Sequence, residues 1–426
     1  MRSAIPAAAI AILVLAACGE EKQPAAADGK QPAAAAEPKA AESRVGAPKG
    51  RAIRPGRTLL VTLSRFAANE QGKYTVPEAA ELILLTPAEG AWKAETIEDR
   101  ESNVFHKALP WDGGILTIGA NEAKLKLWKK DGGSWKSETL WHPTFGGKHN
   151  RLRDFEIADF DGDGRPDLAI ATHDQGVVAV AWNRPEGWRT EEIDREPDTF
   201  VHEIEVGDLD GDGRLEIYAT PSRPNTASGI DQGGKITRYA WNGTRFERSD
   251  VALLATRHVK EIMVADADGD DRRELYAAVE AEMGEGGAIR TPVEIRRYDW
   301  RDGSFAESKV VDIQDRFCRF LVAGDLTGDG RPEIVAAAFT SGVWLIERDG
   351  EGWKKTLIDG KSGGFEHAAY LADMEGDGKP ALYVADDNGG LIREYRFSGG
   401  KFDSRVIHRR LVPAQAMTWN ITVADL

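Results

Sequence analysis

Residues 157–172 read IADFDGDGRPDLAIAT, and variants of this segment begin near residues 206, 264, 323 and 371. A truncated variant, ITVADL, ends the chain. The aspartates that lead the six copies are separated by 49, 58, 59, 48 and 52 residues; they are Asp159, Asp208, Asp266, Asp325, Asp373 and Asp425. A sequence period of about 50 residues is typical of β-propellers and solenoids.

A second repeat gives the number of units. An alternating strand, a turn and an aromatic residue that opens another strand recur seven times, at Trp92, Trp135, Trp188, Phe246, Phe305, Trp353 and Phe402. Each unit holds four short strands of period-2 pattern, separated by Gly, Pro, Asn and Asp. Four strands per unit of this length predict a propeller blade. We therefore predict an all-β fold, with residues 57–426 forming one seven-bladed β-propeller of four-stranded blades.

The two ends of this region predict how the ring closes. Residues 419–425 resemble the first strand of a unit that has no further strands, whereas residues 57–97 supply second, third and fourth strands without a first. Pairing the C-terminal strand with the N-terminal strands completes one blade. This closure removes free sheet edges, which would otherwise promote aggregation.

The repeated segments also place acidic residues at fixed odd positions. We name them the first to fifth acidic loops: 159–167, 208–216, 266–274, 325–333 and 373–381. Carboxylates at positions 1, 3, 5 and 9, with a backbone carbonyl at position 7, form the oxygen-rich ligand set that Ca²⁺ prefers. The candidate ligands are Asp159, Asp161, Asp163, Arg165 and Asp167; Asp208, Asp210, Asp212, Arg214 and Glu216; Asp266, Asp268, Asp270, Arg272 and Glu274; Asp325, Thr327, Asp329, Arg331 and Glu333; and Asp373, Glu375 and Asp377.

An EF-hand and a simple turn fit these loops less well than a calcium-binding propeller loop does. An EF-hand needs a glutamate at position 12 and flanking helices, but position 12 is apolar in every copy and the flanks are strand-like. Asp and Gly are also common in simple turns, yet a turn does not require several carboxylates at the same positions in five copies. The pattern favours Ca²⁺. In the fifth loop, Ala381 removes the last carboxylate.

DFDGDGRPDLAIAT and its variants resemble the FG-GAP repeats, also called VCBS repeats, of integrin-type β-propellers. The resemblance implies the propeller fold and Ca²⁺ at the loop between the first and second strands of a blade. It does not imply one activity, because members of this family include adhesins, lectins, lyases and scaffolds.

The N-terminal residues predict export. Residues 1–18 combine Arg2, an apolar run too short to span a bilayer and the sequence Leu-Ala-Ala-Cys, which resembles a lipoprotein signal peptide with a lipobox ending at Cys18. An ordinary signal peptide is the alternative. Residues 19–56 are rich in Ala, Pro, Lys and Glu, which predicts a disordered tether. We expect lipidation of Cys18 and attachment to the bacterial cell envelope; Gly19 favours the outer membrane by analogy with that family.

Composition limits the class of partner. The chain has 55 basic and 70 acidic residues, a formal net charge of −15, which argues against a nucleic-acid partner. Its two cysteines, Cys18 and Cys318, exclude a disulfide scaffold. We expect a monomer, anchored to the membrane only through its N-terminal lipid.

The function is less well defined by the sequence. Polar residues precede several first strands, and we predict that they form a ligand-binding mouth of the channel; they are His149, His202, His258, Arg316 and His367, with Arg153, Lys260 and Arg319 in similar places. Ordinary polar loop ends are the alternative. No catalytic residue is assigned, because no hydrolase, zinc-protease, P-loop or Rossmann motif is present. We predict a binding module for a glycan or protein; the alternatives are a polysaccharide lyase or dehydrogenase and a purely structural envelope protein.

Overall fold

The computed structural model describes residues 57–89, 91–146, 150–173, 175–226, 228–410 and 412–426. The predicted signal peptide (1–18), the lipidation site Cys18 and the predicted tether (19–56) lie outside the described residues. None of the helices among the described residues is long and apolar enough to cross a membrane.

Seven four-stranded antiparallel meanders form the blades. We number the blades from the one that carries the first acidic loop, so that loops and blades share a number. The strands are, in blade 1, Leu152–Ala158, Asp167–Thr172, Val177–Arg184 and Gly187–Arg195; in blade 2, Phe200–Gly207, Glu216–Ser222, Gly234–Trp241 and Phe246–Leu254; in blade 3, Val259–Ala265, Glu274–Val279, Val293–Arg301 and Ser304–Ile313; in blade 4, Cys318–Gly324, Glu333–Ala338, Val343–Asp349 and Gly352–Asp359; in blade 5, Ala369–Ala372, Ala381–Asp386, Leu391–Ser398 and Lys401–Arg409; in blade 6, Ala416–Asp425, Arg57–Ala68, Ala80–Ala88 and Ala91–Asp99; and in blade 7, Phe105–Trp111, Gly114–Gly119, Leu125–Asp131 and Ser134–Trp141.

Connections within blades 3 and 6, and the connection between blades 5 and 6, carry further short elements. Tyr74–Pro77 pairs with the end of Arg57–Ala68, and Glu282–Met283 pairs with Ile289–Thr291. Two single-turn 3₁₀ helices occur within the described residues, at Glu285–Gly287 and Pro413–Gln415.

Blade 6 confirms the predicted closure. Its first strand comes from the C-terminus and its other three strands from the N-terminus of the propeller. Leu59 lies opposite Val423 and Val61 opposite Ile421 in antiparallel register. The predicted seven blades and their closure by the two chain ends are therefore confirmed.

The apolar pattern of each strand matches its depth in the blade. Second strands such as Glu333–Ala338 are buried at every residue, because neighbouring blades cover both faces. Fourth strands such as Gly352–Asp359 lie at the rim and are mostly exposed. The repeated hairpin aromatics pack against the preceding blade: Trp353 lies 6.3 Å from Tyr276 and Phe305 lies 6.1 Å from Tyr218, measured between ring centroids. The hairpin repeat is thus an inter-blade packing device.

The first strands of neighbouring blades contact one another around the whole ring and line a central channel. Each acidic loop follows a first strand and precedes a second strand. The acidic loops therefore lie on one face of the propeller, and the beginnings of the first strands lie on the opposite face.

Candidate functional site: acidic loops and central channel

The acidic loops of blades 1 to 4 bring carboxylates from both ends of each loop together. In each loop, one oxygen from each of three acidic residues lies within 4.8 Å of the other two. These residues occupy positions 1, 3 and 9 in the first three loops, and positions 1, 5 and 9 in the fourth. The groups are Asp159, Asp161 and Asp167; Asp208, Asp210 and Glu216; Asp266, Asp268 and Glu274; and Asp325, Asp329 and Glu333.

The position-1 aspartate fixes the backbone of the loop. Asp159 accepts hydrogen bonds from the N–H groups of Gly162 (2.9 Å) and Gly164 (2.8 Å). Both glycines have a positive φ, +76° and +82°, which glycine adopts without strain. In the third loop Asp271 replaces the second glycine and still adopts φ +66°, with its N–H 3.0 Å from Asp266. The loop shape is therefore held by the chain's own hydrogen bonds.

The position-5 aspartates of the first three loops lie outside the three-carboxylate groups, and their predicted ligand role stays a prediction. Asp163, Asp212 and Asp270 each accept a hydrogen bond of 2.9 Å from the backbone N–H of the arginine at position 7. They are not members of the three-carboxylate groups. The proposed ligand role of the position-7 carbonyls, on Arg165, Arg214, Arg272 and Arg331, stays a prediction.

The position-9 carboxylate is the most buried donor of each group. Asp167, Glu216, Glu274 and Glu333 are at most 3% exposed because they begin the buried second strands. Burial raises the pKa of Asp167 to about 6 and that of Glu274 to about 7. Burial also raises the pKa values of Glu216 and Glu333. Such carboxylates are costly to ionise unless a cation lies beside them.

In the second and third loops an arginine from the third strand supplies such a charge. The Arg238 guanidinium contacts both Asp210 and Glu216, the latter at 2.6 Å. Arg297 lies 2.7 Å from the position-3 carboxylate and 3.1 Å from the position-9 carboxylate of its loop. The two arginines occupy equivalent positions, each opposite a tyrosine two residues after position 9. We did not predict them from the sequence, although that register is a usable signal.

The first and fourth loops are compensated differently. Arg184 pairs with Asp161 at 2.6 Å in the first loop. In the fourth loop the Thr327 hydroxyl donates to Glu333 at 2.8 Å. No third-strand guanidinium reaches the fourth loop among the described residues of blade 4; Arg348 instead donates to a backbone carbonyl in its own hairpin.

One buried carboxylate oxygen of the third acidic loop lacks a hydrogen-bond partner among the described residues. Asp268 Oδ1 is buried and accepts no hydrogen bond within the described part of the chain, while its other oxygen pairs with Arg297. An orphaned carboxylate oxygen beside two further carboxylates fits a hard cation with oxygen ligands. The donor set of the loops therefore fits Ca²⁺.

The fifth loop keeps the shape without the carboxylate group. Asp373 accepts N–H groups from Gly376 (2.6 Å) and Gly378 (2.9 Å), as in the other loops. Position 9 is Ala381, and Glu375 pairs with Arg396 at 3.1 Å. Within the described residues, this loop forms no group of three clustered carboxylates.

The residues predicted for the channel mouth lie mostly in the protein interior. His202, His258 and His367 are at most 2% exposed, and burial lowers the pKa of each. His258 contacts the Gln232 amide at 3.2 Å, whereas His367 Nδ1 lies 2.6 Å from the carbonyl oxygen of Ala338. Arg316 is half-buried, and His149 lies outside the described residues. The structure thus buries these three histidines at the beginnings of the first strands, and their role in ligand binding stays a prediction.

Further along the first strands, the channel wall is acidic. Lys107 pairs with Asp154 at 2.9 Å and also contacts Glu156. Glu203 and Glu205 come from the next blade, and burial raises the pKa of both well above the usual range. Since both side chains keep partial exposure, solvent reaches this part of the channel.

Comparison with known families identifies the repeat. The family model described as an FG-GAP-like repeat matches residues 159–219 and 325–384. These two segments begin at the first and fourth acidic loops.

Comparison with individual proteins finds one relative by sequence and several solved structures with a similar fold. The chain is 28% identical over 279 residues to the rhamnogalacturonan exolyase YesX of Bacillus subtilis (strain 168), a match that covers 51% of this chain and 44% of that protein. A Lactobacillus plantarum protein has 11% identity and a TM-score of 0.53, over 86% of this chain and 99% of that one. A candidate 6-phosphogluconolactonase from Bacteroides fragilis has 12% identity and a TM-score of 0.54, over 87% and 99%. These structural similarities concern the fold alone.

Proposed function

Because this chain is a seven-bladed β-propeller that carries FG-GAP-like repeats, we propose that it is a calcium-binding interaction module of the bacterial cell envelope. The observation that carries the calcium assignment is the repeated meeting of three carboxylates in four loops. The orphaned oxygen of Asp268 supports the same assignment. Asp, Glu and backbone oxygens are hard donors, which favour Ca²⁺ over softer metals.

Calcium has a structural role in this proposal. Each loop joins the first strand of a blade, which lines the channel, to the second strand, which lies in the inter-blade core. An ion bound by the three grouped carboxylates ties the two strands together and neutralises their charge. An ion that binds only the folded state stabilises it by mass action, by about 2.7 kcal/mol per site at a concentration 100 times its Kd.

The test combines elemental analysis with thermal unfolding of the purified protein. We expect about four calcium ions per chain and a melting temperature that falls on chelation with EDTA. Asp266→Asn, which removes one negative charge from the third loop, reduces the bound calcium by one ion. Asp302→Asn, in an exposed hairpin turn of the same blade, is the matched control. A protein that binds no calcium and melts identically with and without EDTA contradicts the proposal.

The envelope location is a separate part of the proposal, supported by the lipobox-like sequence that ends at Cys18. We expect Cys18→Ala to move the protein from the membrane fraction to the soluble fraction. Hydrocarbon burial contributes about 0.8 kcal/mol per CH₂, so loss of the acyl chains abolishes anchoring. Membrane association of the Cys18→Ala protein that survives washing at high salt refutes lipid anchoring.

The ligand class is a glycan or a protein, presented to a rigid propeller with long loops on the channel-mouth face. A glycan array and a pull-down with the purified protein distinguish the two. Binding of neither class leaves a purely structural envelope role as the better description.

An enzyme is the second candidate function, and the match to a rhamnogalacturonan exolyase favours it. This chain spans less than half of the length of that relative, so lyase activity is a proposal for this chain. A lyase removes the proton on the carbon beside a uronate carboxylate, and the adjacent carbon–oxygen glycosidic bond breaks as the other sugar leaves. The electron pair forms a C=C bond conjugated to the carboxylate, and this unsaturated sugar absorbs in the ultraviolet. Release of that chromophore from rhamnogalacturonan supports the enzyme; intact polysaccharide supports the binding module.

A further inference from the structure

A groove on the acidic-loop face lies between the fourth acidic loop and blade 5. Its volume is about 600 Å³, within the range of roughly 300 to 1,000 Å³ that is typical of ligand sites. Solvent enters it, because Lys379 and Ser404 of its lining are exposed. We call it the blade 4–5 groove; its walls are residues 325–328 of the fourth loop, residues 378–380 at the end of the fifth loop, and the third and fourth strands of blade 5.

The fourth loop forms one wall of this groove. Asp325 belongs to the three-carboxylate group of the loop and also lines the groove. The other two members of that group are Asp329 and Glu333, and Asp329 pairs with Arg331 at 2.8 Å. The three negative charges of the group are balanced by the two positive charges of a bound Ca²⁺ and the one of Arg331. With calcium bound, this wall therefore carries no net charge.

Two arginines of the opposite wall are neutralised within blade 5. Arg396 lies 2.9 Å from Glu394 and 3.1 Å from Glu375. Arg405 contacts Glu394 and lies 3.9 Å from Glu375. Two guanidinium groups thus face two carboxylates, so the arginines leave no excess charge in the groove.

Lys379 is a lining cation whose side chain forms no ion pair or hydrogen bond with any described residue. Its backbone N–H donates to Asp377 at 3.0 Å. The lining residue Asp403 pairs with Lys401 at 3.2 Å. Asp373 and Asp377 accept backbone N–H groups of the fifth loop and do not line the groove. With calcium bound, the charged side chains of the lining and their ion-pair partners therefore sum to one positive charge, carried by Lys379.

Part of the groove wall is apolar. Leu326, Pro380 and Phe397 line the groove together with Lys379. Pro380 and Phe397 are half-buried, so part of each side chain is left for a ligand to cover. Removal of such apolar area from water favours binding. A ligand that fits both features carries a negative charge and an apolar group close together.

We propose that the blade 4–5 groove binds the C-terminal residue of a protein partner, with its carboxylate on Lys379 and its apolar side chain against Phe397 and Pro380. The last residue of a chain carries both groups on one Cα atom, and capture of a C-terminal carboxylate is a recurring mode of peptide recognition. Calcium is required, because Asp325 without it repels the carboxylate. This proposal rests on the calcium-binding interaction module proposed above and specifies a protein ligand for it.

The experiment measures the fluorescence anisotropy of a labelled peptide, fluorescein-Gly-Ser-Gly-Ala-Leu with a free carboxylate, on the calcium-loaded purified protein. We expect this peptide to bind and its C-terminal amide to bind about tenfold more weakly, the size of one charge-assisted hydrogen bond. Glycine in place of the last leucine weakens binding about fivefold, because less apolar area is buried. EDTA weakens binding about tenfold.

A pair of lysine variants tests the position of the site. Lys379→Gln weakens binding of the free-acid peptide about tenfold and leaves binding of the amide unchanged. Lys361→Gln is the matched control, since this exposed lysine follows the fourth strand of blade 4 on the opposite face, and it leaves binding unchanged. The calcium-dependent shift in melting temperature reports that each variant is folded. For a variant without that shift, the comparison of acid and amide peptides on the unmodified protein decides.

The proposal is overturned when the free-acid peptide does not bind, when the amide binds equally well, or when binding is unchanged in EDTA or in folded Lys379→Gln. Galacturonate that binds more tightly than the peptide also overturns it, because the ligand is then a sugar acid. When the unmodified protein keeps its calcium shift but does not bind the peptide, the groove proposal fails and the calcium function stands. A protein that binds no calcium contradicts the proposed function itself.

Discussion

The two faces of the propeller carry different repeated features. On one face, each acidic loop is a contiguous segment whose carboxylates meet within the loop itself. On the other face, the first strands of six blades each carry a β-bulge, and the residue type at the bulge differs from blade to blade. A repeat therefore produces seven equivalent positions in the fold. The residue type at each position decides whether the side chains of one blade form a site by themselves or whether side chains of several blades contact one another.

The largest expected effect tests whether the loops act separately. Asp325→Ala and Asp373→Ala both remove the acceptor for two glycine N–H groups. For the protein without bound metal, we expect each substitution to lower the free energy of unfolding by about 3 kcal/mol. Because the fifth loop lacks a position-9 carboxylate, only Asp325→Ala reduces the bound calcium by one ion. Denaturant unfolding and elemental analysis measure the two effects. Loss of one calcium ion in both variants contradicts the prediction that the fourth loop binds calcium and the fifth does not.

A smaller effect tests the internal counter-charge of the second loop. Arg238→Gln leaves Asp210 and Glu216 without their guanidinium partner. We expect the free energy of unfolding of the protein without bound metal to fall by about 2 kcal/mol. We expect the calcium affinity of this loop to rise about tenfold, because a positive charge beside the ion has been removed. Calcium titration of a thermal melt measures both.

The control for that comparison is Arg348→Gln, a third-strand arginine in blade 4 that does not contact the fourth loop. It leaves calcium affinity unchanged. A fall in calcium affinity for Arg238→Gln indicates that the arginine supports the site instead of competing with the ion.

The smallest effect concerns the acidic wall between the two faces. Burial, and then the Glu156 charge, raise the pKa of Glu205 well above its usual value of 4.5. The folded state thus holds a proton that the unfolded state releases, so the contribution of Glu205 to stability falls as the pH rises above about 4.5. We expect Glu205→Gln to raise the melting temperature by about 2 °C at pH 7 and not at pH 4. Glu351→Gln, in an exposed hairpin turn, shows no such change; an equal gain at both pH values excludes the titration of Glu205 as the cause.

Sequence reasoning predicted well where the signal is local and repeated. The Asp-rich loops and the hairpin aromatics each recur along the chain, so the number of blades follows from counting them. Closure at Leu59 and Val423 was predictable because each chain end supplies the strands that the other lacks. The predicted carboxylates at positions 1 and 9 meet in four loops, since the left-handed glycines bend each loop back on itself.

The sequence by itself determined the propeller, its closure and the acidic loops, because each depends on residues close together in the chain or on a pattern that repeats. The tertiary structure alone decided which cations face those loops and where the mouth residues lie. Arg238 is 22 residues from Glu216, and Glu366 is 213 residues from Arg153. No local pattern links such pairs. They meet because the blades close into a ring. A bulge in each of six first strands then turns one side chain toward a shared centre. There, burial lowers the pKa of His202 and keeps it neutral, and its two ring nitrogens form no hydrogen bond with any described residue.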